Sequence, residues 1–381
     1  MYETSTQIST TIPARLWSEV TEAVLLVLLT TSYIFVAIVL AYRLWKQRRI
    51  KPPAIYNGQP GPFNSFWLFK SSLYCSDCMI MLIYASVKAI WLLEFQWRFG
   101  TAGCKAYRFF SSLAFLSNSN VVCAIALDRY LSVYSNHIIG ARQYQRTKRM
   151  LCAVWGFALI TALPQLFVWE AYRPSPHNWK QCVTVFAIEL HQLPLDSPRR
   201  DQVKLYSMLY EAYHQAMTFW VPLSITISSY VRMMSRLIPF WPFSVLHSYE
   251  DERQKTLCTI FWSKIRDKMN SLFCIALFRR KSYASQQSAR VPLAGTTRHP
   301  PTTALRRQLG TTVFKNACTI ALAHVVLWLP YNIISLSRFV DEEFYEIVSQ
   351  NGGNLCEILI LLNCFVNPIV YSGGLNNGNR V

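Results

Sequence analysis

Ionisable and helix-breaking residues interrupt several of the most apolar segments of the sequence. Asp77 lies in the middle of one segment, Asp128-Arg129-Tyr130 stands near the end of another, and Asn367-Pro368-Ile369-Val370-Tyr371 ends the last one. Charged groups at membrane depth are costly in free energy, and they mark ion sites, proton relays or ion-pair switches. These residues therefore predict a rearrangement of charges and hydrogen bonds inside a membrane.

Asp77 is the clearest candidate for an ion or proton site. Its predicted partners are Asn118, Asn363 and Asn367, which come from two other apolar segments at about the same depth. Together they predict a hydrated polar cluster. The alternative is a hydrogen-bond network with a structural role only.

Arg129 is predicted to pair with its neighbour Asp128. A buried ion pair whose members can exchange partners is a natural two-state switch. Tyr230 and Tyr371, near the inner ends of two other segments, are predicted to cap Arg129 after it moves. The alternative is an interfacial charge pair that only orients its helix.

The elements that carry these residues are long and apolar. The chain has 381 residues, of which 52% are hydrophobic and 15% charged, a composition typical of a polytopic membrane protein. A spanning helix needs about 20 mostly apolar residues. Seven stretches meet this requirement and predict an all-α membrane protein, a seven-transmembrane helix bundle: 22–44, 71–95, 104–133, 150–169, 205–237, 315–339 and 354–371.

Prolines fall inside four of these predicted spans. Proline removes a backbone hydrogen bond and bends a helix, which creates hinges and cavities. Intramembrane prolines also occur in transporters and channels, so they carry weight only together with their neighbours. They are Pro164, Pro222, Pro330 and Pro368.

The net charge of +18 is concentrated in three loops. Residues 43–70 carry six basic residues and no acid, residues 134–149 four and none, and residues 236–315 fourteen against four acids. This distribution argues against a nucleic-acid partner. By the positive-inside rule it places these loops in the cytoplasm, with the N-terminus outside and the C-terminus inside.

This topology gives an extracellular N-terminus at 1–21, a seven-transmembrane domain at 22–372 and a short cytoplasmic tail at 373–381. The third inner loop, about 238–307, contains apolar patches separated by basic residues between Thr256 and Phe278. They predict an amphipathic helix lying against anionic lipid. The alternative is a disordered insert.

Two of the eleven cysteines stand apart from the apolar segments. Cys104 opens the third predicted span, and Cys182 lies in the loop after the fourth. Both are on the predicted outer side, where disulfides persist. They are predicted to form a disulfide; the alternative is two unrelated thiols.

Taken together, these motifs resemble the rhodopsin-like (class A) G protein-coupled receptors. The resemblance implies that Trp328 and Pro330, with Asn367 and Pro368, form an activation switch. It also implies that Arg129 with Tyr130 faces a heterotrimeric G protein, and that the Asp77 cluster is a sodium-type site. The residues that carry it are Leu73-x-x-x-Asp77, Trp97, Cys104, Asp128-Arg129-Tyr130, Trp155, Cys182, Pro222, Tyr230, Trp328-Leu329-Pro330 and Asn367-Pro368-x-x-Tyr371.

Shorter matches resemble the peptide-hormone branch of that family, which includes the gonadotropin-releasing hormone, adipokinetic hormone, corazonin and vasopressin/oxytocin receptors. The invertebrate gonadotropin-releasing or adipokinetic hormone type is most similar. These matches are Gln96-Trp97, Gly103-Cys104-Lys105, Pro164-Gln165-Leu166-Phe167 and Gln181-Cys182-Val183-Thr184. This likeness implies coupling to Gq and an extracellular peptide that contacts Lys88, Trp91, Arg108, Ser111, Gln165, Tyr331, Ser335 and Glu357.

Two other functions stay open. A rhodopsin-like receptor for a lipid or odorant is the main alternative. A transporter or channel should show repeat symmetry or a run of polar pore residues, and the sequence shows neither. An enzyme is not expected, because there is no nucleophile–base pair, phosphate loop or metal-ligand spacing. We expect a multi-pass plasma-membrane protein in contact with lipid.

Several residues depart from the family pattern. Thr30-Thr31-Ser32-Tyr33-Ile34 lacks the Gly-Asn pair that ties the first helix to Asp77 in relatives. His324 replaces a phenylalanine below the switch tryptophan, and Gly310 replaces an acid that restrains Arg129 in some relatives. Ser111 stands where amine receptors have an aspartate, which argues against an amine ligand. Residues 373–378 are glycine-rich and do not predict an amphipathic eighth helix.

Overall fold

The computed structural model describes residues 17–50, 55–56, 59–60, 63–134, 141–174, 179–194, 196–235 and 312–376. The predicted surface helix in the third inner loop, Gly310, the first sixteen residues and the last five lie outside the described residues, as does the side chain of Tyr371. Residues up to Tyr230 and from Gly310 belong to one compact unit. Residues 231–235 are the described part of a second one, Val231–Leu309.

Helices lie at each of the seven predicted spans, and the span numbers below refer to these observed ranges. Span one is Trp17–Ile50; span two is Phe63–Met79, a π-helical turn Ile80–Ala85 and Ser86–Glu94; span three is Gly100–Tyr134; span four is Ala141–Ala162 with Gln165–Val168; span five is Arg199–Gln215, a π-helical turn Ala216–Trp220 and Val221–Ser235; span six is Thr312–Ser337; span seven is a 3₁₀ turn Gly353–Leu355 with Cys356–Asn376.

In the part of the chain that the structure describes, six helices are long and apolar enough to cross a membrane, at spans one to four, six and seven. Span five is less apolar because its outer segment, Arg199–Gln215, carries charged residues. Its inner segment, Val221–Ser235, contains serines and threonines. Its hydroxyls bond within the helix: Thr226 Oγ1 donates to Pro222 O at 2.8 Å and Ser228 Oγ to Ser224 O at 2.7 Å. A helix that satisfies its own hydroxyls tolerates them in lipid. The fold is the predicted all-α, seven-transmembrane bundle.

The intramembrane prolines mark irregular points of the helices. Span four is interrupted at Pro164, between Ala162 and Gln165, and Pro222 is the second residue after the π-helical turn of span five. Pro330 and Pro368 lie inside the helices of spans six and seven. Each proline lacks the amide hydrogen that a regular turn needs, so these are the points where the helices can bend.

Span three is the centre of the bundle. Its most apolar stretch is 78% buried, against 22% for span four. It packs against spans two, four and six, while span seven packs against spans six, two and one. Residues that span three carries are therefore in reach of most other helices.

A two-stranded antiparallel sheet covers the outer end of span three. Strands β3 (Trp169–Tyr172) and β4 (Gln181–Thr184) pair so that Ala171 faces Cys182. The predicted disulfide between Cys104 and Cys182 is confirmed, with the two Cα atoms 5.6 Å apart. Two short strands, β1 (Ile55–Tyr56) and β2 (Gln59–Pro60), form a separate hairpin on the inner side. The disulfide fixes the outer sheet to span three.

The outer loops contain two helices that the sequence did not predict, Val185–Gln192 and Glu342–Gln350. Each begins with a side chain that caps its free amides. Thr184 Oγ1 accepts from the Ala187 amide at 3.2 Å, and Asp341 Oδ1 accepts from the Phe344 amide at 2.9 Å. Such caps stabilise a short helix by about 1 kcal/mol.

Candidate functional site

The structure brings the four residues of the predicted polar cluster together. Asn118 Nδ2 donates to Asp77 Oδ1 at 2.7 Å, and Asn367 Nδ2 donates to both Asp77 carboxylate oxygens at 3.1 and 3.0 Å. Asn363 Nδ2 donates to Asn118 Oδ1 at 3.5 Å. All four side chains are buried. The cluster therefore links spans two, three and seven through hydrogen bonds to one carboxylate.

Oxygens with no partner remain inside this cluster. Asn363 Oδ1 and Asn367 Oδ1 are buried and accept no hydrogen bond from the described residues. Together with the Asp77 carboxylate they form a set of oxygen donors of the kind that hard cations prefer. The residues thus fit the sodium ion that the family resemblance implies.

His324 connects the polar cluster to the predicted switch. Its imidazole lies 3.5 Å from Asn363 Nδ2 and 3.3 Å from Ser119 Oγ, and its ring centroid is 4.4 Å from that of Trp328. The Trp328 ring also stacks with Phe219 at 6.3 Å. A phenylalanine at 324 would keep the ring contact but not the two polar contacts. In this chain the His324 side chain therefore connects Trp328 to the Asp77 cluster.

Tyrosines tie span one to span two. Tyr33 is fully buried, with its hydroxyl 3.5 Å from Cys78 Sγ and its ring edge-on to Phe365 at 5.6 Å. Tyr74 OH donates to Ala37 O at 3.2 Å. The chain lacks the Gly-Asn pair that ties the first helix to Asp77 in the family. These tyrosine contacts attach the first helix to the bundle instead.

At the inner end of span three, Asp128 forms ion pairs with two arginines. Arg129 pairs with it through Nη2, and Arg146 Nη2 lies 2.7 Å from Asp128 Oδ1. Arg146 also donates to Ser132 Oγ at 2.8 Å. Tyr230 packs against the apolar cluster that contains Val122 and Ile125. The structure therefore shows Arg129 held by Asp128, and Asp128 held in turn by Arg146.

Near the outer ends of spans one, two and seven, a lysine lies between two carboxylates. Lys88 Nζ is 2.5 Å from Glu22 Oε1 and 2.9 Å from Glu357 Oε2. Asn354 Nδ2 donates to Glu22 Oε2 at 2.6 Å. Lys88 and Glu357, both predicted ligand contacts, are thus part of a network that ties the three spans together.

Arg108, on span three, is surrounded by aromatic rings. Its guanidinium carbon lies 3.7 Å from the Trp169 ring centroid, 5.4 Å from that of Tyr107 and 5.5 Å from that of Trp91. Trp91 Nε1 donates to Gln181 Oε1 at 2.6 Å. The outer sheet thus supplies one wall of the Arg108 environment, through Trp169.

Four predicted ligand contacts remain, and most of them lie near span five or near Trp328. Gln165 Oε1 accepts from Tyr210 OH at 2.6 Å, and Ser335 Oγ accepts from the Gln215 amide. Ser111 is buried on span three. Tyr331 packs against the apolar cluster around Trp328. The eight predicted ligand contacts therefore divide into the Lys88–Glu357 pair, the Arg108 environment with Trp91 and Ser111, and the span-five side.

Several residues in these sites were missed from the sequence. Glu22 carries a signal, because it is an acid at the start of an apolar stretch. Tyr210 and His214 lie on the predicted fifth span, and only the fold shows that they reach Gln165 and Ser112. Arg146 is one of several basic residues in an inner loop, and nothing in the sequence singles it out.

The comparisons with known proteins identify the class. Residues 64–371 match the model of the 7 transmembrane receptor (rhodopsin family), and the chain belongs to this family. It is 30% identical to the G-protein coupled receptor daf-38 of Caenorhabditis elegans over 336 residues, which cover 80% of this chain and 79% of the relative.

Two further relatives match less completely. The gonadotropin-releasing hormone II receptor of Chlorocebus aethiops is 29% identical over 142 residues, 37% of this chain and 35% of the relative. The melanopsin of Phodopus sungorus is 28% identical over 306 residues, 79% of this chain and 51% of the relative. The chain is thus a class A G protein-coupled receptor of the plasma membrane, a signalling protein rather than an enzyme, with an extracellular ligand and a G protein as partners.

Proposed function

We propose that this receptor responds to a peptide hormone of the gonadotropin-releasing or adipokinetic hormone type and activates Gq. The observation that carries the proposal is the position of Gln165. Tyr210 OH holds its carbonyl oxygen at 2.6 Å, while among the described residues no atom accepts from its amide nitrogen. An oriented amide donor of this kind suits a peptide carbonyl. The match to a gonadotropin-releasing hormone II receptor supports the same ligand class.

The activation path follows the contacts of the switch residues. An agonist shifts the receptor only by binding the active arrangement better than the resting one. Peptide contact at Gln165, Trp91 and Tyr331 displaces Trp328, and span six swings outward about Pro330. His324 passes this movement to Asn363 in the polar cluster.

The inner end then changes its ion pairing. Asn367 is hydrogen-bonded to Asp77. Rearrangement of the polar cluster therefore moves the inner end of span seven, which carries Tyr371. Arg129 leaves Asp128 and contacts the G protein, capped by Tyr230 and Tyr371. Because linkage is reciprocal, the G protein raises agonist affinity by the same factor by which the agonist raises G protein affinity.

In the resting receptor we expect a sodium ion at the Asp77 cluster. The Asp77 carboxylate and the unpartnered amide oxygens of Asn363 and Asn367 would hold it. A bound cation supplies positive charge that offsets the buried carboxylate. The three residues restrain spans two and seven in the arrangement seen here.

A receptor for a non-peptide ligand is the second candidate. It is favoured by the lengths of the matches, because the gonadotropin-releasing hormone II receptor aligns with 37% of the chain, whereas a melanopsin aligns with 79%. A transporter or channel has no comparable support.

A ligand screen separates these candidates. Cells that express the full chain with a surface tag are tested for calcium release against a library of amidated neuropeptides and against lipid extracts. We expect a peptide response that Arg129→Ala abolishes at unchanged surface expression. A response to the lipid extracts alone, with silence toward all peptides, would contradict the peptide assignment.

A further inference from the structure

We propose that Arg108 is the subsite for a carboxylate of the ligand. The inference rests on the proposed receptor function and narrows its ligand class. The carboxylate belongs either to a peptide with a free C-terminus or to a free organic acid. These two sources share the chemistry that Arg108 recognises.

Arg108 has no acidic partner among the described residues. It forms no ion pair and donates no hydrogen bond to them; its contacts are with the rings of Trp169, Tyr107 and Trp91. The ionisable side chains near enough to interact with its charge are Tyr107, Tyr210, Tyr331 and His214, and none of them is a carboxylate. A partly buried cation without a counter-ion is costly in free energy, and the described residues supply no negative charge that offsets this cost.

The aromatic rings do not replace that missing partner. Stacking on the Trp169 ring, 3.7 Å away, uses the face of the planar guanidinium. Its five N–H donors point outward in its plane and remain available for a bidentate acceptor such as a carboxylate. The Nε atom is buried and makes no hydrogen bond to the part of the chain that the structure describes. Stacking therefore orients the guanidinium and leaves its N–H groups free to donate to a ligand.

Neighbouring hydroxyls extend this set of donors. Tyr107 OH and Ser111 Oγ lie one helical turn apart on span three, and both are buried without a hydrogen bond to the described residues. Arg108 and Ser111 are three positions apart and share a face of the helix. A guanidinium and two unused hydroxyls on adjacent turns form a site rich in donors, which suits an anionic oxygen group.

Three other cations on the outer side have acidic partners. Lys88 is paired with Glu22 and Glu357, Arg338 with Glu211 at 2.6 Å, and Arg98 with Glu94 at 2.5 Å. Each of these charges has its counter-ion within the chain. Arg108 is left for a counter-ion that comes from outside.

The test uses the full-length receptor in cells with matched probes. One half of the panel is a peptide library with free C-termini, together with straight-chain carboxylic acids. The other half contains the same peptides amidated and the same acids as methyl esters. Arg108→Gln removes the charge, Arg108→Lys keeps it without the fork, and Arg98→Gln is the exposed, paired control. Surface expression is measured for each variant.

We expect the acids to activate at least about 30-fold more potently than their neutral twins. Arg108→Gln should abolish this preference, Arg108→Lys should retain part of it, and Arg98→Gln should retain it fully. Equal potency of both halves, a preference unchanged in Arg108→Gln, or silence of every acid would overturn the proposal. Amidated peptides acting without need of Arg108 leave the peptide function standing and refute this inference. Straight-chain carboxylic acids that activate through Arg108, with every peptide silent, would support this inference and refute the peptide function.

Discussion

Asn367 Nδ2 donates to both carboxylate oxygens of Asp77, at 3.1 and 3.0 Å, across the boundary between spans seven and two. Asn367 directly precedes the proline at which span seven can bend. The hydrogen bonds therefore fix the helix at its weakest point. We therefore expect any change in the charge or the partners of Asp77 to affect the inner end of span seven.

Replacing Asp77 by asparagine tests this relationship. The neutral amide keeps the size of the side chain but offers a single acceptor oxygen and no charge for a cation. We expect sodium to weaken agonist binding in the native receptor by roughly 5-fold or more, in the usual range of allosteric coupling, and to have no effect in Asp77→Asn. Agonist binding in membranes with sodium or with N-methylglucamine measures both. Equal sodium dependence in the two proteins would exclude an ion at Asp77.

Arg146 is expected to restrain the resting receptor. It lies 2.7 Å from the buried Asp128 carboxylate, so Arg146→Gln removes one of the two cations paired with that residue and destabilises the resting arrangement. We expect basal G protein signalling to rise roughly 3-fold or more, which corresponds to about 0.7 kcal/mol. Arg149→Gln is the control, since among the described residues Arg149 hydrogen-bonds to the Gln145 carbonyl of its own helix and not to Asp128. A basal signal as low in Arg146→Gln as in the control would show that this pair restrains nothing.

The polar role of His324 is open to a stability measurement. His324→Phe leaves Ser119 Oγ without its partner and removes one of the two polar contacts of Asn363 Nδ2. A buried orphan group costs about 1–3 kcal/mol. We expect the purified variant to unfold at a temperature several degrees lower than the native receptor. Leu322→Phe, at a position that is 66% exposed, serves as the matched control. Unchanged or increased stability of His324→Phe would mean that the imidazole acts only as an aromatic spacer.

The Lys88 network should be essential for assembly of the outer half of the receptor. Lys88→Met leaves the Glu22 and Glu357 carboxylates without their shared cation, and breaking a buried pair in this way costs about 3–5 kcal/mol. We expect surface expression to fall severely.

Adding Glu22→Gln and Glu357→Gln to Lys88→Met removes the unpaired charges, so it should restore much of the expression. Surface labelling of the tagged proteins measures both variants. If the triple variant is expressed no better than Lys88→Met, the loss is not electrostatic.

The sequence alone predicts those sites whose polar or charged residues lie in apolar segments. Asp77 and its asparagines, and the Asp128–Arg129 pair, stand out because charge is costly in lipid. Arg146 did not stand out, because a basic residue in a basic inner loop conflicts with nothing. Tyr33 is an ordinary residue of an apolar span, and only tertiary packing shows that it reaches Cys78 and Phe365.

The outer side was predicted less completely for a similar reason. The disulfide and all seven spans were predicted, whereas the helices Val185–Gln192 and Glu342–Gln350 were not. Such short helices owe their stability to tertiary contacts and caps rather than to a long periodic pattern. The lack of an acid beside Arg108 among the described residues is likewise a property of the fold, which no local sequence pattern around Arg108 indicates.

We propose above all that peptide binding at the outer residues is coupled to the Asp128–Arg129 ion pair. This coupling is tested most directly with purified receptor in lipid nanodiscs, by nucleotide exchange on purified Gq in the presence of a pool of neuropeptides. We expect the pool to accelerate exchange about 10-fold in the native receptor, and not at all in Arg129→Ala. Exchange that the pool leaves unchanged in the native receptor, or accelerates equally in Arg129→Ala, would contradict it.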